Sequence, residues 1–133
     1  MDVDLKGIIV FDEGGIPLAS IGFEKLKVNP GLFSSFMSAM QSFAMGISGG
    51  EVKELEYGNV RILLGRAREN QVITIHSIVD KDAEWNHATV LELIEGNQYA
   101  LDDNFLSLLQ ELLSDARVSI EEAKLGIDSM GIF

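Results

Sequence analysis

The chain has 133 residues, 47% of them apolar, with 21 acidic and 10 basic side chains for a net charge of −11, and no cysteine. That length suits one domain with a real core, and the missing thiols exclude disulfides, thiolate metal sites and cysteine nucleophiles. The acidity is uneven: residues 1–79 hold 9 acids and 7 bases (net −2), residues 80–133 hold 12 acids and 3 bases (net −9), so nucleic acid and anionic membrane surface, which need clustered Lys or Arg, are not expected as direct partners.

The N-terminal MDVDLKGIIVFDEGG places acids before a short apolar run and offers no small-residue cleavage pattern. It reads as a first strand rather than a signal peptide, and a cytoplasmic setting is expected. Leu5 to Asp12 is apolar on both alternating sets, Leu5/Gly7/Ile9/Phe11 and Ile8/Val10, as in a central strand covered on both sides. Asp12-Glu13-Gly14-Gly15 is a turn. Ile16 to Phe23 returns as a second strand, which Pro17 places at an edge because it cannot donate to a ladder.

Asn29 to Gly50, NPGLFSSFMSAMQSFAMGISGG, is an uncharged helical segment. Asn29 can cap it, Pro30 suits its first turn, and Gly49-Gly50 end it. Leu32, Phe33, Phe36, Met37, Met40, Phe43, Ala44 and Ile47 recur at three- and four-residue steps, and the expectation is that this face lies on a sheet. The outward candidates are then Ser34, Ser35, Ser38, Gln41, Ser42 and Met45. A helix with one face on a sheet normally shows charges on the other. Small neutral side chains allow close approach of another chain and cost little when buried, so these six residues are the candidate partner-binding surface. The interrupting serines and terminal glycines argue against a membrane span.

Glu51 to Tyr57, a Gly58-Asn59 turn, Val60 to Arg66, a turn at 67–70 and Gln71 to Val79 form a three-stranded meander. Lys53, Glu54 and Glu56 make its first strand the most charged, the usual protection of a sheet edge. From Asp80 the apolar period changes to about three and a half. One helix carries Trp85, Ala88, Leu91 and Ile94 and stops at Gly96-Asn97. A second, capped by Asp102 or Asp103, carries Phe105, Leu108, Leu109, Leu112, Leu113 and Ala116. Ser119 with Glu122 resembles a capping box for a resumed helix through Leu125. The terminal Ile127, Met130, Ile132 and Phe133 read either as a loose tail or as an apolar plug. The expected class is α/β (α+β), in the order β-β-α-β-β-β-α-α: a mainly antiparallel five-stranded sheet, one helix on one face and two on the other, in a single domain spanning 1–133 with its core at about 5–115.

No catalytic constellation accompanies this scaffold. His76 and His87 lack metal-ligand spacing, and Asp80/Asp82/Glu84 lack the glycine and distant glutamate of a calcium loop, so helix N-terminal acids explain them. The glycines at 46–50 end a helix, where the dipole repels phosphate. Neither a metal nor a cofactor is expected. Nor is an enzyme.

The D-x-x-G turn in GIIVFDEGGIPLAS, the Phe/Met/Ser-rich helix before Gly-Gly, and the meander that follows resemble the longin domain and the related roadblock modules of the profilin-like group. The resemblance covers Leu5 to about Asp115. It implies a non-enzymatic adaptor that dimerises with itself or a related chain, binds a small Ras-like GTPase or a regulatory subunit, and takes part in trafficking or polarity complexes. Such modules pair through this helix and the adjoining strand, which here adds Lys53, Glu54 and Glu56 to the partner-binding set. The alternative is a small-molecule sensor, since profilin-like and PAS-like sheets can hold ligands; Tyr57, Thr74 and His76 are its candidate lining.

Overall fold

In the computed structural model, which describes residues 4–97 and 101–114, five strands and four helices follow one another: β1 (Leu5–Phe11), β2 (Pro17–Ile21), α1 (Phe23–Leu26), α2 (Pro30–Ser48), β3 (Glu54–Tyr57), β4 (Val60–Ala67), β5 (Asn70–Ser77), α3 (Ala83–Gly96) and α4 (Asp103–Ser114). The sheet order is β2-β1-β5-β4-β3 and every neighbouring pair is antiparallel. The Pro17 strand and the Glu/Lys strand are the two edges, as their composition predicts. Ala116, the Ser119/Glu122 box and the terminal apolar residues lie outside the described residues.

Strands apolar on both sides require cover on both sides. Ile8, Val10 and Val72 point to one face, where Val90, Leu93 and Ile94 of α3 and Phe105, Leu106, Leu108, Leu109 and Leu113 of α4 bury them. Ile9, Phe11, Ile62, Leu64, Ile73 and Ile75 point to the other, under Phe23 of α1 and Met37 of α2, with Phe33 and Met40 alongside. Leu5 departs from the alternation expected of β1. An irregularity between Leu5 and Gly7 shifts the phase by one residue and sends Leu5 to the α3/α4 side.

Two elements differ from expectation. The segment after β2 forms the extra short helix α1, started at Gly22 with φ +90; a Cβ there would lie 2.1 Å from the Lys6 carbonyl oxygen, so the crossing of these two backbones requires glycine. β3 begins at Glu54 rather than Glu51 because Gln41 takes the Val52 backbone for itself: its amide donates to the Val52 carbonyl (2.8 Å) and its Oε1 accepts the Val52 N–H (2.7 Å).

Candidate protein-docking surface

Asn29 caps α2 by accepting from the Leu32 N–H (3.0 Å), Pro30 opens it, and Gly49 closes it in the left-handed region, so the helix begins and ends as its sequence specifies. Its rotation about its own axis is another matter. The expected dock of eight apolar side chains is not what faces the sheet. Met37 is buried and Phe33, Met40 and Ala44 are half-buried, while Leu32 (74%), Phe36 (64%), Phe43 (69%) and Ile47 (70%) are exposed. At 3.6 residues per turn, positions 32, 36, 43 and 47 fall within one narrow stripe, with Ala39 on the same side.

Two residues assigned outward from the sequence are turned inward instead. Ser34 is fully buried and donates to the Gly15 carbonyl at 2.7 Å; Gln41 is buried against Val52 as described. Each satisfies a backbone group that a leucine in its place would leave without a partner beneath the helix, and this fixes the rotation. Ser38 is half-buried and reaches the Glu13 carbonyl at 3.4 Å. Ser35, Ser42 and Met45 are exposed, as expected. Both Ser35 and Ser42 flank the apolar stripe.

Lys53, Glu54 and Glu56 are all exposed, and among the described residues β3 pairs with β4 alone. Arg61 on β4 donates to Glu54 (2.8 Å) and to Glu84 on α3 (2.6 Å), so one guanidinium ties the edge strand to α3; its hydrogen bond holds the Glu54 carboxyl below the ordinary range. Arg66 makes the corresponding tie to Glu51 at 2.6 Å. The opposite edge is treated differently: the Ser20 N–H of β2 donates to Asp103 at the start of α4 (2.8 Å), which covers it.

The candidate ligand-lining trio is not brought together. Thr74 and His76 are buried and bonded to each other at 2.7 Å on the α3 side, whereas Tyr57 stands exposed on β3. Asp80 is also reassigned: it is a buried partner of the His76 ring at 3.1 Å and accepts the Asp82 N–H, rather than a solvated helix-start acid. Burial pushes the His76 pKa down against the pull of Asp80, and burial with the nearby His76 lowers His87 to about 4. Among the described residues, no group of three or more His, Asp or Glu side chains could hold a metal ion, and no helix is long and apolar enough to cross a membrane.

A roadblock/LC7 domain from Streptomyces avermitilis is similar to this structure with a TM-score of 0.52 over 69% of this chain and 80% of that chain, at 11% sequence identity. The chain has the fold of the roadblock/longin group. Myxococcus xanthus MglB is similar with a TM-score of 0.46 over 70% of this chain and 85% of that chain, at 14% identity. No family model matches the sequence, and no curated protein matches it. Sequence reasoning missed Leu32, Phe36, Phe43 and Ile47 as surface residues. The available signal was Gln41, an amide seven residues from Ser34, marking a second face suited to bonding backbone groups.

Proposed function

We propose that the chain is a non-enzymatic adaptor domain that docks on another roadblock/longin-type chain through α2 and β3, and in that state engages a small Ras-like GTPase or its regulatory subunit. One observation carries the reading: a helix without charge exposes Leu32, Phe36, Phe43 and Ile47 in one stripe, where a solvent-facing helix would show charges. Burying four such side chains contributes about 6–12 kcal/mol at about 1.5–3 kcal/mol each. A two-fold pairing of β3 with its copy would bring Glu54 or Glu56 close to a like charge, at about 1 kcal/mol per pair. The stripe therefore outweighs the strand.

Light scattering tests the docking step. If the docked chain is a second copy, the wild type is expected at twice the chain mass or higher, and Phe36→Glu/Phe43→Glu at the chain mass with an unchanged circular dichroism spectrum; equal masses for two folded proteins would remove α2 as the contact between copies of this chain. The GTPase step is tested separately, by titrating purified Ras-like GTPases loaded with GDP or a GTP analogue. Binding that depends on the nucleotide is expected, and its absence across the set would count against the GTPase reading while leaving the docking surface standing.

A further inference from the structure

Three contacts run in series through the side of the sheet covered by α3. The Asp80 carboxylate meets Nδ1 of His76 (3.1 Å), Nε2 of His76 meets Oγ1 of Thr74 (2.7 Å), and Oγ1 of Thr74 meets Nδ1 of His87 (2.8 Å). Nε2 of the half-buried His87 lies close above Gly65 of β4, where an added Cβ would lie 3.0 Å from it. Thr74, His76 and Asp80 are buried, so no bulk water stands between them.

One end of this series, the carboxylate, only accepts hydrogen bonds. With both imidazoles neutral, the series has three hydrogens, one from each ring and one from the hydroxyl, for three contacts. The carboxylate is the strongest acceptor because charge-assisted bonds are roughly twice as strong as neutral ones, so it keeps Nδ1–H of His76. The Thr74 hydroxyl then donates to His76 and accepts from Nδ1–H of His87. A proton added to His76 makes that ring donate at both nitrogens. The hydroxyl must then turn to His87, and His87 must carry its hydrogen on Nε2.

We propose that the Thr74 hydroxyl is a two-position proton switch: protonation of His76 reverses it and changes the tautomer of His87 without charging that ring. The charged and titratable groups acting on His76 are Asp80 after β5, Arg61 on β4, Asp4 ahead of β1 and His87 on α3. Arg61, which stays cationic, opposes the added proton, and Asp4 and Asp80 favour it.

Tautomers are read directly from the imidazole 15N shifts of the full chain, titrated from pH 8 to pH 5. His76 is expected to take up a proton with a midpoint below 6.5, and at that same midpoint the two nitrogens of neutral His87 should exchange pyrrole-like and pyridine-like character. A His87 ring that keeps one tautomer throughout, or changes at a different midpoint, overturns the proposal. In Thr74→Val, its fold checked by circular dichroism, His87 should no longer follow His76, while Thr74→Ser should preserve the coincidence. A folded Thr74→Val in which His87 still follows His76 would also overturn it. If the valine variant does not fold, the wild-type titration decides alone.

Discussion

The two faces of the sheet are covered by different means. Against α3 and α4 the cover is large and apolar: nine aliphatic or aromatic side chains of those two helices are buried among the described residues. Against α2 a 19-residue helix buries one large apolar residue, Met37, and is seated by Ser34 on Gly15 and Gln41 on Val52. The first face is a completed core. The second is a helix positioned by a few polar bonds, which frees its apolar residues for the outside. An amphipathic helix buries its hydrophobic side only when nothing else competes for the contact; here unsatisfied backbone groups of the hairpin and of the segment before β3 compete and prevail.

This contrast predicts an ordered series of effects. Leu109→Ala, at a fully buried α4 position, should cost about 2–5 kcal/mol in denaturant unfolding because it removes packed atoms and leaves a cavity; a loss under 1 kcal/mol would mean that the α4 cover is looser than described. Next comes acid. His87 on the α3 face has its pKa lowered from 6.5 to about 4, mainly by burial. A base that resists protonation when folded contributes its full stability above the unfolded pKa of 6.5, and the contribution is lost as pH falls from 6.5 towards 4. A shift of that size corresponds to on the order of 3 kcal/mol. His87→Gln should therefore lose less stability than wild type over that interval, and parallel pH profiles would show that His87 does not carry the effect.

On the α2 face, Gln41→Leu should cost about 1–3 kcal/mol, since it adds apolar volume yet strands both backbone groups of Val52. If leucine stabilised the protein, hydrophobic cover rather than backbone satisfaction would be what seats α2. Smallest of all, Phe36→Ser should change the stability of the isolated chain by no more than about 0.5 kcal/mol, as expected for an exposed site away from packing, measured at a concentration where light scattering gives the chain mass. A loss above 1 kcal/mol under those conditions would place Phe36 in the chain's own core.

Much of this was legible before the structure. Leu5 to Asp12 is apolar on both alternating sets and was placed as an interior strand, and Gln71 to Val79 was placed as the last strand of the meander; Pro17 and the Lys53/Glu54/Glu56 cluster marked the two edges; Asn29-Pro30 and Gly49 bounded α2. The helix face was not legible, because the segment from 30 to 48 carries apolar residues around most of its circumference, with Leu32, Phe36, Phe43 and Ile47 on one side and Phe33, Met37 and Ala44 towards the other. Periodicity alone therefore names two stripes, and merging them into one broad face assigned Ser34 and Gln41 to the wrong side. The Asp80–His76–Thr74–His87 series was equally hidden, since its members are joined across β5, the following loop and α3.

By itself the sequence determined the order of the five strands and three longer helices, the edges and the absence of charge on α2, because these follow from local propensity, alternation and capping, each readable within a few residues; the short helix α1 was not among them. Only the tertiary structure decided which way α2 turns. That depends on the Gly15 carbonyl and the Val52 amide, backbone groups 19 and 11 residues away from the side chains that satisfy them, and a backbone group left unpaired under a helix is recorded in no residue's identity. It exists only once the sheet has formed.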